Sequence, residues 1–242
     1  MSITKETIIG DLVAQDYRVA AIFKKNNIDF CCNGNRSIGE ACEKQNISTE
    51  QVINELSGIS HQNNAANIDY NSWPLDLLAD YIEKKHHRYV EAKIQEIIPY
   101  LEKINRVHGG RHPELAEVEQ LFKDSAGELT VHMKKEELML FPAIRKLAQA
   151  QLTNTEPSKA PFGSVQNPIS AMMHEHDIEG DRFRQISALT NDYSAPEDAC
   201  NTYRVTFALL KEFEEDLHLH IHLENNILFP KSIALEEQFA TV

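Results

Sequence analysis

Two stretches of this chain repeat one another and carry residues that bind metal ions. His132 and Glu136 precede Leu140-Phe141-Pro142, and His220 and Glu224 precede Leu228-Phe229-Pro230, at identical offsets. On a helix, residues four apart lie one above the other, so each copy points an imidazole and a carboxylate into the same space. Two copies predict one metal site built by two halves. Histidines also stand upstream of each copy. His176 lies 44 residues before His220, and His87 lies 45 before His132. At 1.5 Å per residue, His87 is about 30 Å from a turn near Val107, and His132 is about 29 Å from Pro113 beyond that turn. The two imidazoles therefore end at one level, although spacing alone does not separate His86 from His87.

Four imidazoles and two carboxylates exceed the four ligands of a structural zinc site. They suit two five- or six-coordinate ions bridged by Glu136 and Glu224. Nitrogen and oxygen donors without thiolate favour iron, with manganese or zinc allowed, and leave positions free for oxo, hydroxo, O2 or NO. Glu128 extends the stripe of His132 and Glu136 by one turn, where a carboxylate orients an imidazole or admits protons; Glu175 beside His176 is a second such candidate. His174, His218 and His222 flank the proposed ligands and read as solvated groups or as partners of the ligands.

Long helices must position these groups. The segment from Ser72 to Val107 carries Leu78, Ile82, Val90, Ile94, Ile97, Leu101 and Ile104 along one stripe, with Pro99 expected to bend it. Gly109-Gly110 closes that helix and Pro113 opens the next, to about Leu147; a third runs from Pro168 to about Leu189, and Pro196 opens a fourth. Leu-Phe-Pro reads as core packing and helix termination. The fold class expected is all-α: an antiparallel four-helix bundle over 72–242, a small N-terminal helical domain over 1–58, and a polar linker over 59–71. In the small domain, Ser37 and Glu40 have capping-box spacing, and Asn33-Gly34 predicts a tight turn just after Cys31 and Cys32.

The net charge of -13 opposes nucleic acid and anionic membrane surfaces. No apolar run approaches a signal peptide or the roughly 20 residues of a membrane span, and Cys31, Cys32, Cys42 and Cys200 do not form a secreted disulfide pattern. A cytoplasmic protein with free thiols is expected.

Several motifs together resemble hemerythrin-like di-iron proteins of the repair-of-iron-centres type, the YtfE/ScdA group. They are Asp29-Phe30-Cys31-Cys32, Ser37-Ile38, Glu40-Ala41-Cys42, His86-His87, Val107-His108-Gly109, Glu175-His176-Asp177 and the two His-x-x-x-Glu stretches. The resemblance implies two non-haem iron ions, oxo- or hydroxo-bridged, held by His87, His132, Glu136, His176, His220 and Glu224. It selects His87 over His86 and places Glu128 and Glu175 at acidic positions near the irons. It implies repair of iron-sulfur clusters damaged by nitrosative or oxidative stress, with iron-sulfur proteins as clients. The alternatives are an O2 or NO carrier or sensor, or NO reduction at the irons; a homodimer is allowed. Cys31 and Cys32 then read as thiols that handle iron or NO, or as small buried hydrophobes. Where the family has Gly-Gly after the cysteines, this chain has Asn33-Gly34, and Asn tolerates the left-handed backbone such a turn uses.

Overall fold

A computed structural model describes residues 3–60, 68–158 and 160–240. The N-terminal part folds as α1 (Ile9–Gln15), a 3-10 turn (Tyr17–Val19), α2 (Ala20–Lys25), α3 (Ile38–Gln45) and α4 (Thr49–Ser60). Asp16 separates α1 from the turn because its backbone is extended and its carboxylate accepts the N–H of Arg18, as at a helix start. The capping box of α3 is present: Ser37 Oγ accepts from Glu40 N–H, and the Glu40 carboxylate accepts from Ser37 N–H. Asn46, with φ of 54°, ends α3 in the left-handed conformation.

Most of the expected linker, residues 61–67, lies outside the described residues. On its near side α4 still includes Ser60, and on its far side packing begins with Tyr70, whose buried ring meets Trp73 and Tyr81. Four long helices follow. α5 covers 75–108 (Leu75–Tyr81, Ile82–His87 and Arg88–His108), α6 covers 114–153 (Glu114–Lys135, Glu136–Leu140 and Phe141–Thr153), α7 is Gln166–Leu189, and α8 covers 201–240 (Asn201–Leu223, Glu224–Leu228 and Phe229–Ala240). α6 packs on α5 and α7, and α8 packs on α5, closing a four-helix bundle. The fourth helix starts at Asn201 with Cys200 as its N-cap, not at Pro196, which makes a single turn closed by Ala199 N–H on its carbonyl.

Leu-Phe-Pro does not terminate the helices. Phe141 and Phe229 are fully buried, each contributing roughly 1.5–3 kcal/mol, yet both helices continue past Pro142 and Pro230. The middle segments of α5, α6 and α8 are π-helical turns, and in α6 and α8 that turn ends just before the Phe-Pro pair. A widened turn shifts the hydrogen-bond register where proline has no N–H to give, so the chain passes proline without breaking. Each π turn also carries one proposed ligand: His87 ends the first, and Glu136 and Glu224 open the others.

Two buried clusters sandwich that level. One, at the Leu78, Leu140, Ile169 and Leu228 end, is built mainly of bundle residues together with Tyr70, and Ala14 of α1 packs against it. The other continues from bundle residues such as Val90, Phe213 and Ile221 into Ile9, Phe23, Ile38 and Leu56, so the N-terminal helices share a core with the bundle. The contact is close at Gly34. It does not have the positive φ expected of the Asn33-Gly34 turn; a Cβ there would instead stand 2.6 Å from the Phe30 carbonyl and 2.7 Å from the Asn226 amide. Glycine is present for space.

Candidate metal centre

The four helices bring His87, His132, Glu136, His176, His220 and Glu224 together, all buried. They form two overlapping groups. His87, His220 and both glutamates make one, and His132, His176 and the same glutamates make the other, with ligand atoms in each within 4.8 Å of one another. The carboxylates are divided between them. Glu136 Oε2 lies 3.4 Å from His87 Nε2 and Oε1 lies 3.4 Å from His132 Nε2; Glu224 Oε1 lies 3.1 Å from His220 Nε2 and Oε2 lies 3.3 Å from His176 Nε2. His132 Nε2 and His176 Nε2 face each other at 3.0 Å. Both oxygens of Glu136, Oε2 of Glu224 and Nε2 of His87 are buried with no hydrogen-bond partner among the described residues, a costly arrangement that cations between them relieve. The donor set and the unpartnered atoms fit metal ions.

The electrostatics agree. Burial works against the charged form of His87, but the facing carboxylates of Glu136 and Glu224 outweigh it and hold its pKa up at about 10. His132, under the same burial, is held at about 10 by the charge of Glu136 and by Glu136 and Glu175. Burial and the neighbouring Glu224 push Glu136 upward, and His132 and His87 pull it below its ordinary value. Protons here do the work of cations.

His87 is the ligand-placed member of its pair. His86 touches neither carboxylate; its Nδ1 lies 3.0 Å from Asp216 Oδ2, and its ring stacks on His220. The other sides of three proposed ligands are held in turn. His87 Nδ1 meets Glu137 Oε1 at 3.0 Å, His132 Nδ1 meets Glu175 Oε2 at 2.8 Å, and His176 Nδ1 meets Asn225 Oδ1 at 2.8 Å. Glu175, bonded by His132 and Lys135, is drawn down to about 2. Glu128 does not orient His132. Its carboxylate is exposed and pairs with Arg182 at 3.0 Å, because one helical turn places it at the rim of a cavity of about 290 Å³ that reaches His132, Glu175 and His176. Glu137 and Asn225 escape the sequence reading, yet the repeat contains their signal: each follows a shared glutamate and holds a histidine of the preceding helix. Removing such an outer partner typically weakens metal binding 10–100-fold. Asn225→Leu is therefore expected to speed loss of the bound metal to a chelator by about 10-fold or more; an unchanged rate would show that Asn225 does not hold His176.

Of the flanking histidines, His174 is exposed and His218 half-buried, whereas His222 is buried against Tyr17 and Phe30. The cysteine loop reaches the centre from outside the bundle. Cys31 is buried and Cys32 half-buried; Cys32 Sγ lies 3.3 Å from the His176 carbonyl, and the Cys31 carbonyl accepts from Asn225 Nδ2 at 3.3 Å. Asn225 thus joins the loop to His176.

A helical bundle with two such His–Glu clusters defines a hemerythrin-like cation-binding protein, and the hemerythrin HHE cation binding domain model matches residues 78–232. The ScdA_N model, a domain described as of unknown function, matches residues 5–60. The chain is 31% identical to the iron-sulfur cluster repair protein ScdA of Staphylococcus epidermidis over 95% of its own length and 99% of that protein. It is 33% identical to the iron-sulfur cluster repair protein YtfE of Dickeya chrysanthemi, covering 95% and 97% of the two. The chain belongs to the ScdA/YtfE family.

Proposed function

We propose that this chain repairs iron-sulfur clusters and holds two iron ions, one between His87 and His220 and one between His132 and His176, with Glu136 and Glu224 shared by both. The observation that carries this reading is the pair of buried carboxylates whose two oxygens face different histidine pairs. Iron bound there supplies Lewis-acid and redox chemistry and sites for NO or O2. The chain's own residues do the positioning. Glu137, Glu175 and Asn225 take the Nδ1 side of three imidazoles, which leaves each Nε2 lone pair for the metal and fixes the ring. The cavity lined by Glu128, Lys135 and Glu175 gives small ligands a way to His132 and His176. The family relatives named for cluster repair point to iron-sulfur proteins as clients; in this reading iron is the cargo. The four free thiols suit the reducing cytoplasm.

The test uses an iron-sulfur enzyme inactivated by NO. Anaerobic incubation with the iron-loaded chain is expected to restore its activity, and iron lost by the chain should match iron gained by the enzyme. Recovery no better than with free Fe2+, or equal recovery with the Glu136→Leu chain, would overturn the reading.

A further inference from the structure

Outside the bundle centre, one carboxylate and two thiols converge on the loop that docks against α7 and α8. We propose that Asp29, Cys31 and Cys32 form a third cation site, which takes a borderline or soft divalent ion such as Fe2+ or Zn2+. Their ligand atoms lie within 4.8 Å of one another. Cys31 Sγ is 3.8 Å from Cys32 Sγ and 3.4 Å from Asp29 Oδ1. A tetrahedral ion with metal–sulfur distances of about 2.3 Å and a metal–oxygen distance of about 2.0 Å sets its sulfurs about 3.8 Å apart and each sulfur about 3.5 Å from the oxygen. The loop already holds the sulfur–sulfur spacing and the Cys31–Asp29 spacing.

The scaffold is fixed from both sides. Asp29 Oδ1 accepts the N–H of Cys31 at 3.1 Å and of Cys32 at 3.0 Å, and Oδ2 accepts from Asn33 Nδ2 at 2.7 Å and Arg184 at 3.1 Å. From the bundle, Asn225 and Asn226 donate to the carbonyls of Cys31 and Phe30. Thiol protons fill the gap: Cys31 S–H donates to Asp29 and Cys32 S–H to the His176 carbonyl. A bound ion replaces those two bonds, both thiols become thiolates, and their protons pass to solvent. A cavity of about 620 Å³ opens on Asp29 and Cys31 and leaves the fourth position to water or an incoming thiolate. His176 faces the bundle centre with its ring and Cys32 with its carbonyl, so the two sites are one residue apart. A role for this third ion in delivering iron rests on the repair reading; the site itself does not.

Co2+ is the probe. Anaerobic titration of the iron-loaded full chain is expected to give a near-ultraviolet thiolate-to-cobalt charge-transfer band that saturates at about one equivalent. The band should disappear from the Cys31→Ser, Cys32→Ser double variant, which keeps Cys42 and Cys200, and from the wild-type chain when Zn2+ is added. Asp29→Asn should weaken Co2+ binding about 10-fold with unchanged helix content. Absence of the band from the wild-type chain, or its persistence in the double variant, would overturn the proposal. The Glu136→Leu chain separates the two readings: it is expected to lose iron and keep the cobalt band, and loss of the band there would overturn an independent third site. If the wild-type bundle takes up no iron, the repair reading fails and the cobalt band still decides this site.

Discussion

The Glu224→Gln chain is expected to lose both irons, whereas His87→Ala is expected to lose one first. The difference follows from how the oxygens are shared. Glu224 presents Oε1 to His220, with His87 at 3.9 Å, and Oε2 to His176, so its charge serves both halves. His87 has no position at the His132–His176 half. Gln keeps the shape of Glu and one acceptor oxygen but removes the anionic charge and replaces the second oxygen with a donor, which faces a cation unfavourably. Affinity should fall on the order of 100-fold or more in each half, beyond the 10–100-fold effect of outer partners. Glu136→Gln should behave alike, because its oxygens are divided in the same way. Iron per chain after desalting, and iron release to a chelator, measure the effect. Retention of two irons by Glu224→Gln, or equal loss from His87→Ala, would refute a shared carboxylate.

What the sequence revealed of this centre depended on the repeat. Residues four apart on a helix share a face whatever surrounds them, so His132 with Glu136 and His220 with Glu224 were legible from spacing alone. The same alignment contained more than was read from it. Glu137 and Asn225 occupy one offset after the shared glutamates, and in the fold they meet the outer sides of His87 and His176, as Glu175, which the sequence did offer, meets that of His132. The π turns left no comparable trace. Widening one turn moves a backbone hydrogen bond but leaves Leu140, Phe141, Leu228 and Phe229 buried, so the apolar pattern through Pro142 and Pro230 looked like a helix end. The docking of the N-terminal helices was invisible for another reason: Gly10, Gly34 and Asn226 are remote in the chain, and their close fit exists only after both parts fold. The cysteine loop was recognisable, but its approach to His176 was not.

Acid is expected to weaken this docking through His222. The ring is buried between the N-terminal helices and α8, in contact with Tyr17 and Phe30, and its Nδ1 lies 2.9 Å from Asn226 Nδ2. Burial lowers its pKa to about 3. A base whose folded pKa is lowered binds its proton more readily in the unfolded chain, so its contribution to stability is complete above about pH 6.5 and is lost as pH falls towards 3. His87 and His132, held at about 10, act oppositely at higher pH: their contribution is complete below about 6.5 and is lost as pH rises through 10. Glu175, lowered to about 2, loses its contribution only below about 4.5. Between pH 6.5 and 4.5 the decline therefore belongs to the histidines with lowered values, His222 together with His218 and His220. From pH 6.5 to 5 the share of His222 is about 2 kcal/mol, a large part of the marginal stability of a folded domain. Urea unfolding of the metal-free chain at these two pH values measures it. His222→Phe fills the same aromatic contact without a titrating group, and its loss of stability over that interval should be smaller by about 2 kcal/mol. Equal losses in the wild-type and His222→Phe chains would show that His222 is not kept neutral between the two parts of the protein.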